Sequence, residues 1–476
     1  MKKIGYFILL LLIVLPASGQ ELTVISFDDA LYNATTKNPQ ISAIKYEEDA
    51  AEYQKKAAFG LRLPNISLTG AYAYMGDDIG LDFNKYKQPI GAAAGELGQL
   101  LPSEIAVPIG TALNQALNKD WKFVLQERDF GLIGATATMP IFVGGKINAA
   151  NRAAQIEVEE AKEAGNQSTN TLISELVERY FGLSLARQVV NVRQDVLDGM
   201  EQHLNDAIAL EENGMVPKAV RLYAEIQVVD ARKELQESVR DVMTINNALS
   251  NTLHNERNYA PATSMFIVNN LEEVEYFKTL ALNNNPQLKQ VELKEKLAEE
   301  GVKVQRADFM PEVAILGAYD IYNYNMIKGL PNWVVGAEVK IKIFDGLSRE
   351  NKFYAEKSQV NQVKAIREKA ESDILTLVEK TYNDLMSYAE QVKATEASIT
   401  FAKEYLRMQE IGFREGVATS TEVVDARLNL AKSQTERLQA AYQFDLQLAK
   451  LLEACGISFN YPLFYSSKDI TPINLE

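Results

Sequence analysis

Residues 378–413 read VEKTYNDLMSYAEQVKATEASITFAKEYLRMQEIGF. Val378, Leu385, Val392, Ile399, Leu406 and Phe413 fall at every seventh position, and the residues between them are mostly polar or small. A strict seven-residue apolar period makes an α-helix lean on a neighbour and supercoil left-handedly. No proline interrupts residues 346–416, and the glycines sit at the two ends. The pattern predicts one helix over 348–414, roughly 100 Å long at its rise per residue. A rod of that length cannot bury its stripe alone.

The rod occurs twice. Two hundred and two positions earlier stand Leu176, Leu183, Val190, Leu197, Leu204 and Glu211, five of them apolar in the same register. The punctuation also matches: Phe142 with Phe344, Gly144 with Gly346, Tyr180 with Tyr382, Gly214 with Gly416. Two unrelated coiled coils would not keep a constant offset from Gly134/Gly336 to Ala224/Ala426, so the chain is an internal duplication.

At the amino terminus Lys2 and Lys3 precede an apolar run, Ile4 to Leu15, followed by Pro16-Ala17-Ser18-Gly19. This predicts a secretory signal peptide over 1–19, too short to span a bilayer. A first repeat follows over 20–254. It has strands at 65–75 and 131–143, a long helix at 146–212 and a shorter helix at 218–253. Ser26 is its first N-cap, and 76–130 reads as an exposed insertion loop. A connector covers 255–272. The second repeat spans 273–456, with strands at 312–324 and 332–344, the long helix at 348–414 and a helix at 420–454. A loosely ordered tail takes 457–476. Asn285-Pro286-Gln287 echoes Asn38-Pro39-Gln40, and Pro311 echoes Pro64, at an offset of 247.

A net charge of −15, spread along the chain, argues against nucleic-acid binding, which needs a basic face. One cysteine, Cys455, permits no intramolecular disulfide. The two histidines, His203 and His254, are far apart and read as surface or seam residues rather than ligands. No catalytic, cofactor or metal site is expected.

The predicted strands alternate. Trp333, Val335, Ala337, Val339, Ile341 and Ile343 interleave with Gly336, Glu338, Lys340 and Lys342. Ten to twelve such residues, tilted, match a bilayer's hydrocarbon core, with lipid on one face and water on the other. Tyr72, Tyr74, Tyr319, Tyr324 and Trp333 lie near strand ends, as interface belts require. Alternation alone also suits a soluble sheet packed on the helices. If the strands do span a membrane, four cannot close a barrel, and open edges in lipid leave backbone groups unpaired. The barrel must then be shared between chains. The copy number does not follow from the periodicity; closure does.

The whole mature chain resembles the TolC-like outer-membrane efflux duct family. The carrying features are the duplicated element order, the Asn-Pro-Gln marks, the turns at Ile141-Phe142-Val143-Gly144-Gly145 and Ile343-Phe344-Asp345-Gly346, and Gly416-Val417-Ala418-Thr419-Ser420-Thr421-Glu422-Val423-Val424-Asp425-Ala426. The resemblance implies a mainly α, internally duplicated chain. It further implies a homotrimer with a twelve-stranded β-barrel in outer-membrane lipid, continued by a long periplasmic α-helical barrel. The expected partners are a periplasmic adaptor (membrane fusion) protein and an inner-membrane pump. The helix tips Gly214, Met215, Val216, Gly416, Val417 and Ala418 would meet the adaptor; on geometry alone they are also plain αα-turns. Glu422 and Asp425 share a helix face. They match acidic residues that ring the family's closed mouth, and a solvated acidic face is the plainer alternative. Val220 and Tyr223 stand there in the first repeat. The family's latch of a basic residue and a tyrosine is replaced by Ala418 and Phe413, with Arg414 nearby. The implied function is a passive exit duct for drugs or other toxic compounds, without catalysis. A duct for type I protein or peptide secretion and a non-pore coiled-coil envelope protein are the alternatives.

Overall fold

The computed structural model describes residues 22–327 and 329–474, so the expected signal peptide lies outside the described residues. In chain order the elements are β1 (Leu22–Ile25), α1 (Phe27–Lys37), α2 (Pro39–Gly60), β2 (Asn65–Tyr74), β3 (Ile79–Asp82), α3 (Lys87–Gln99), α4 (Ser103–Leu117), β4 (Lys122–Gln126), β5 (Asp129–Val143), α5 (Lys146–Glu212) and α6 (Lys218–Thr252). They continue with β6 (Asn258–Pro261), β7 (Met265–Val268), α7 (Val274–Asn284), α8 (Pro286–Ala307), β8 (Glu312–Tyr324), β9 (Trp333–Lys340), α9 (Ser348–Arg414), α10 (Ser420–Ala454), α11 (Tyr461–Tyr465) and β10 (Ile470–Ile473).

The chain divides into two compact units. The first holds the described residues up to Tyr53, Gln155–Ala298, and the described residues from Gln359 onward. Here the seven-residue stripes are spent: Leu176, Leu183, Leu197, Val378, Leu385, Val392, Leu406 and Phe413 are all buried. α5 and α9 are single helices of 67 residues each. Their neighbours are α6 and α10, 35 residues each. Phe27, Tyr180, Phe181, Phe266, Phe444 and Tyr461 pack ring on ring within the core. The Tyr180 hydroxyl donates to the Ile25 carbonyl at 2.8 Å and accepts the Ala262 and Thr263 amides, joining α5 to β1 and to the segment after β6. β1 pairs parallel with β6, and β10 antiparallel with β7.

The structure gives the Asn-Pro-Gln marks a job. Asn38 donates its side-chain amide to the Thr252 carbonyl at the end of α6 (2.9 Å), and Asn285 donates to the Ala454 carbonyl at the end of α10 (2.8 Å). Each asparagine also accepts a backbone amide at the start of the next helix, from Gln40 or Leu288. One side chain therefore satisfies an orphan carbonyl of its repeat's shorter helix and an orphan amide of another.

The second unit, Gln54–Ala154 and Glu299–Ser358, is built on a four-stranded antiparallel sheet of order β2-β5-β8-β9. The central pair, β5 with β8, joins one strand from each repeat. Both outer strands, β2 and β9, have an unpaired edge among the described residues, and nearly all of their side chains are exposed. Gly144 opens α5 at φ +64, and a Cβ there would lie 2.5 Å from the Ala307 carbonyl, so this turn requires glycine.

Several expectations are corrected. β9 ends at Lys340, not 344, because its partner β8 begins at Glu312 and residues past Lys340 have no strand to pair with; Arg349 instead takes up the Lys342 and Ile343 carbonyls. β2 stops at Tyr74 rather than 75, and β5 starts at Asp129 rather than 131. The connector at 255–272 contains β6 and β7. The tail at 457–476 contains α11 and β10, held by the buried Tyr461 and Ile473. The insertion loop at 76–130 is exposed but ordered, as β3, α3, α4 and β4. β3 and β4 are too short for alternation to register, while α4 covers all but the last residue of the helical-looking piece at 111–118 that the sequence already shows within this loop.

Candidate functional site: the paired hairpin tips

Both long helices end in the same reversal. Gly214 has φ +71 and Gly416 φ +76. The Gly214 amide donates to the Glu211 carbonyl and that of Met215 to Leu210, both at 2.8 Å. The Gly416 amide donates to Phe413 (3.1 Å) and that of Val417 to Gly412 (2.8 Å), the same two bonds 202 residues on. This double bond across a left-handed glycine is the Schellman closure, and it satisfies carbonyls the helix leaves free. It also turns Met215 and Val417 outward; Val417 is 83% exposed. Gly214 and Gly416 are exposed, while Val216 and Ala418 are half-buried.

The two returning helices start differently. Pro217 is the N-cap of α6 and has no side-chain cap bond. Thr419 caps α10 with a full capping box. The Glu422 amide reaches Thr419 Oγ1 at 3.3 Å, and the Thr419 amide donates to Glu422 Oε2 at 2.6 Å. The Thr419 backbone amide and hydroxyl hold the Glu422 carboxyl below the usual glutamate range. Glu422 thus has a structural task at the tip, whereas Asp425, three residues on, is exposed and takes no part in the capping box. The two carboxylates do share the start of one helix.

Beneath the tips Ala207, Ala224, Phe413 and Val423 form a small separate core. Phe413 is buried and lies 4.5 Å, centroid to centroid, from the His203 ring. His203, on α5, is buried and shares a 2.7 Å hydrogen bond between Nε2 and Ser420 Oγ, on α10. Beside it Arg427 of α10 pairs with Glu410 of α9. Gly199 leaves room for that guanidinium, which a Cβ would strike. Burial pushes the His203 imidazole below its ordinary value, Asp206 opposes this, and Arg427 adds to it. A lone histidine in a helical run carried no sequence signal for this joint.

A second feature was also missed. Leu222, Ile226 and Val229 form an exposed apolar stripe on α6, 8, 12 and 15 residues past Gly214. Phe401, Tyr405 and Met408 form another on α9, 15, 11 and 8 residues before Gly416. The spacing i, i+4, i+7 was legible; that these faces stay uncovered within the chain was not. Among the described residues no cluster of His, Cys, Asp and Glu could hold a metal ion, and burial raises the Cys455 thiol to about 12. No helix among them is long and apolar enough to cross a membrane, which says nothing of the strands.

Known proteins agree with this architecture. The outer membrane efflux protein family matches residues 127–253 and 279–457, more than half of the chain. The alkaline protease secretion protein AprF of Pseudomonas aeruginosa is 23% identical over 249 residues, 49% of each chain, so this chain spans about half the length of the curated relative it matches. Among solved structures, a membrane protein from Pseudomonas aeruginosa superposes with a TM-score of 0.72 at 14% identity, covering 90% of both chains. The outer membrane protein VceC from Vibrio cholerae gives 0.68 at 15% identity, over 91% of this chain and 96% of that one. The likeness to these structures is one of fold, and the family is one of transport ducts rather than enzymes. On the strength of the family match across both repeats, the chain belongs to the outer membrane efflux protein family.

Proposed function

We propose that three copies of this chain assemble into an outer-membrane exit duct that passively passes small toxic compounds delivered by an inner-membrane pump through a periplasmic adaptor. The observation that carries this reading is the four-stranded sheet with two unpaired edges and exposed faces. In hydrocarbon such edges must close on a sister chain, β9 of one against β2 of the next. Three copies supply twelve strands. The helical stripes support the same head-to-tail ring. At matched distances from the tips, Leu222, Ile226 and Val229 of one copy can meet Met408, Tyr405 and Phe401 of the next. A ring is the closed form of such a non-identical contact.

The mouth of the duct is then the set of six hairpin tips. Gly214, Met215, Val216, Gly416, Val417 and Ala418 form the adaptor surface, with Met215 and Val417 as its apolar contacts. Three copies of Asp425 and Glu422 line the entrance and favour cations.

A second reading, a duct for type I secretion of a protein or peptide, is favoured by the similarity to the alkaline protease secretion protein. Deleting the gene in its own host separates the two. The efflux reading expects cells that accumulate a fluorescent cationic dye and become sensitive to detergents, with unchanged secreted proteins. Loss of one secreted protein without dye accumulation would replace it with the secretion reading.

A further inference from the structure

The loop between β2 and β5 carries a structure that the duct architecture does not use. β3 and β4 pair as a short stalk, and α3 and α4 form a helical hairpin on top of it. The stalk is firmly tied. The Met75 amide donates to Arg128 O (2.7 Å), and the Phe83 amide to Trp121 O (3.1 Å). Asn84 Nδ2 donates to Asp120 (2.6 Å), and Trp121 Nε1 to Ala116 O (3.0 Å). The buried Gln126 donates to the Asn325 carbonyl beyond β8 at 2.6 Å, fixing the stalk to the neighbouring strand. The two helices approach closely where Gly91 faces Leu117.

Yet neither α3 nor α4 buries a single residue. Ile90 and Leu97 fall on one side of α3, Leu101 in the turn that follows, and Ile105 and Ile109 on one side of α4; all five are exposed. Helical spacing makes each row continuous along its own helix, so the hairpin carries uncovered apolar surface on both of its helices. A tethered apolar face of this kind needs a cover.

We propose that the cover is the same hairpin of the two sister copies, and that the three hairpins together form a lid over the outer mouth. This inference rests on the three-copy ring proposed above. Residues 84–121 hold three acidic residues, Glu96, Glu104 and Asp120, and three basic ones, Lys85, Lys87 and Lys119, in a chain of net charge −15. Neutral hairpins approach one another without the repulsion that the rest of the chain would impose, and offer no net basic charge to a phosphate-bearing lipid surface. The dimensions also fit. Twelve strands about 4.8 Å apart and tilted by about 40° enclose a bore roughly 25 Å across. Helices of 13 and 15 residues are about 20 Å long, enough to reach past its axis.

The test uses single cysteines in the full-length protein, where the buried, unreactive Cys455 does not interfere. Leu97→Cys is expected to give covalent dimers under mild oxidation, and Asn114→Cys, on the opposite side of α4, is not. Replacing residues 84–121 by a two-residue turn is expected to raise single-channel conductance several-fold while the protein remains a trimer in detergent. A trimer in which Leu97→Cys fails to cross-link and reacts freely with a soluble maleimide overturns the lid. So does quenching of a Leu97→Cys fluorophore by brominated lipid, which would make the bilayer the occupant. A deletion variant and parent that are both monomeric would sink the ring itself, a different failure from that of the lid.

Discussion

At the scale of single residues, the tip shows how one side chain can serve two ends. Glu422 completes a capping box, so its removal perturbs both charge and helix start. Asp425→Asn is therefore the cleaner probe of the entrance: a cation-over-anion permeability ratio about two-fold lower or more is expected, with unchanged assembly. An unaltered ratio would leave Asp425 as solvated surface. Thr419→Ala isolates the cap and should cost about 1 kcal/mol locally without changing selectivity, read as faster amide exchange at the start of α10. His203 carries a pH dependence whose sign follows from its lowered value. The fold prefers the neutral imidazole, so its contribution is complete above about pH 6.5 and falls as pH drops through the lowered folded value. The protection factors of the amides around Ser420, taken relative to intrinsic exchange at each pH, should fall between pH 7.5 and 5, and His203→Gln should flatten that response. Equal protection factors at both pH values in the parent would show that the joint does not titrate. Asp206 on the same helix, Arg427 and Glu410 face this joint.

At the scale of elements, long periods were legible and short ones were not. The seven-residue stripe of Val378 to Phe413 announced a helix whose buried face is largely that stripe, because a coiled seam repeats over many turns. The glycines at 214 and 416 announced the reversals, since only a left-handed residue permits that closure. β6, β7 and β10 have four residues each, below the length at which alternation can be read, and their strand form comes from distant partners. Tyr461 gave no local sign of being buried; its place depends on Phe27, Phe181 and Phe266, far away in sequence. Two elements yield predictions. Gly416→Ala should destabilise the second tip by about 1 kcal/mol through its positive φ, read as a lower melting temperature. Ile226→Lys puts a charge in the proposed α6–α9 seam. Losing roughly 1.5–3 kcal/mol per contact should shift the detergent-solubilised protein from trimer toward monomer on a sizing column, and a fully trimeric variant would remove α6 from the interface.

At the scale of the whole molecule, duplication and chain closure belong to one argument. Each repeat supplies two strands and a helical pair, and β5 with β8 joins the repeats in the middle of the sheet, leaving one edge from each repeat open. Nothing within one chain pairs those edges among the described residues, and the exposed stripes on α6 and α9 are likewise uncovered. The internal repeat could be read from the 202-residue offset. The destination of the open edges could not, because it lies in other copies of the chain. Single-channel recording of the purified full-length protein in planar bilayers tests this most directly. The account predicts discrete, uniform conductance steps that appear only with the trimeric fraction. A folded, bilayer-inserted trimer that passes no ion current under any voltage or pH, with or without residues 84–121, would contradict it.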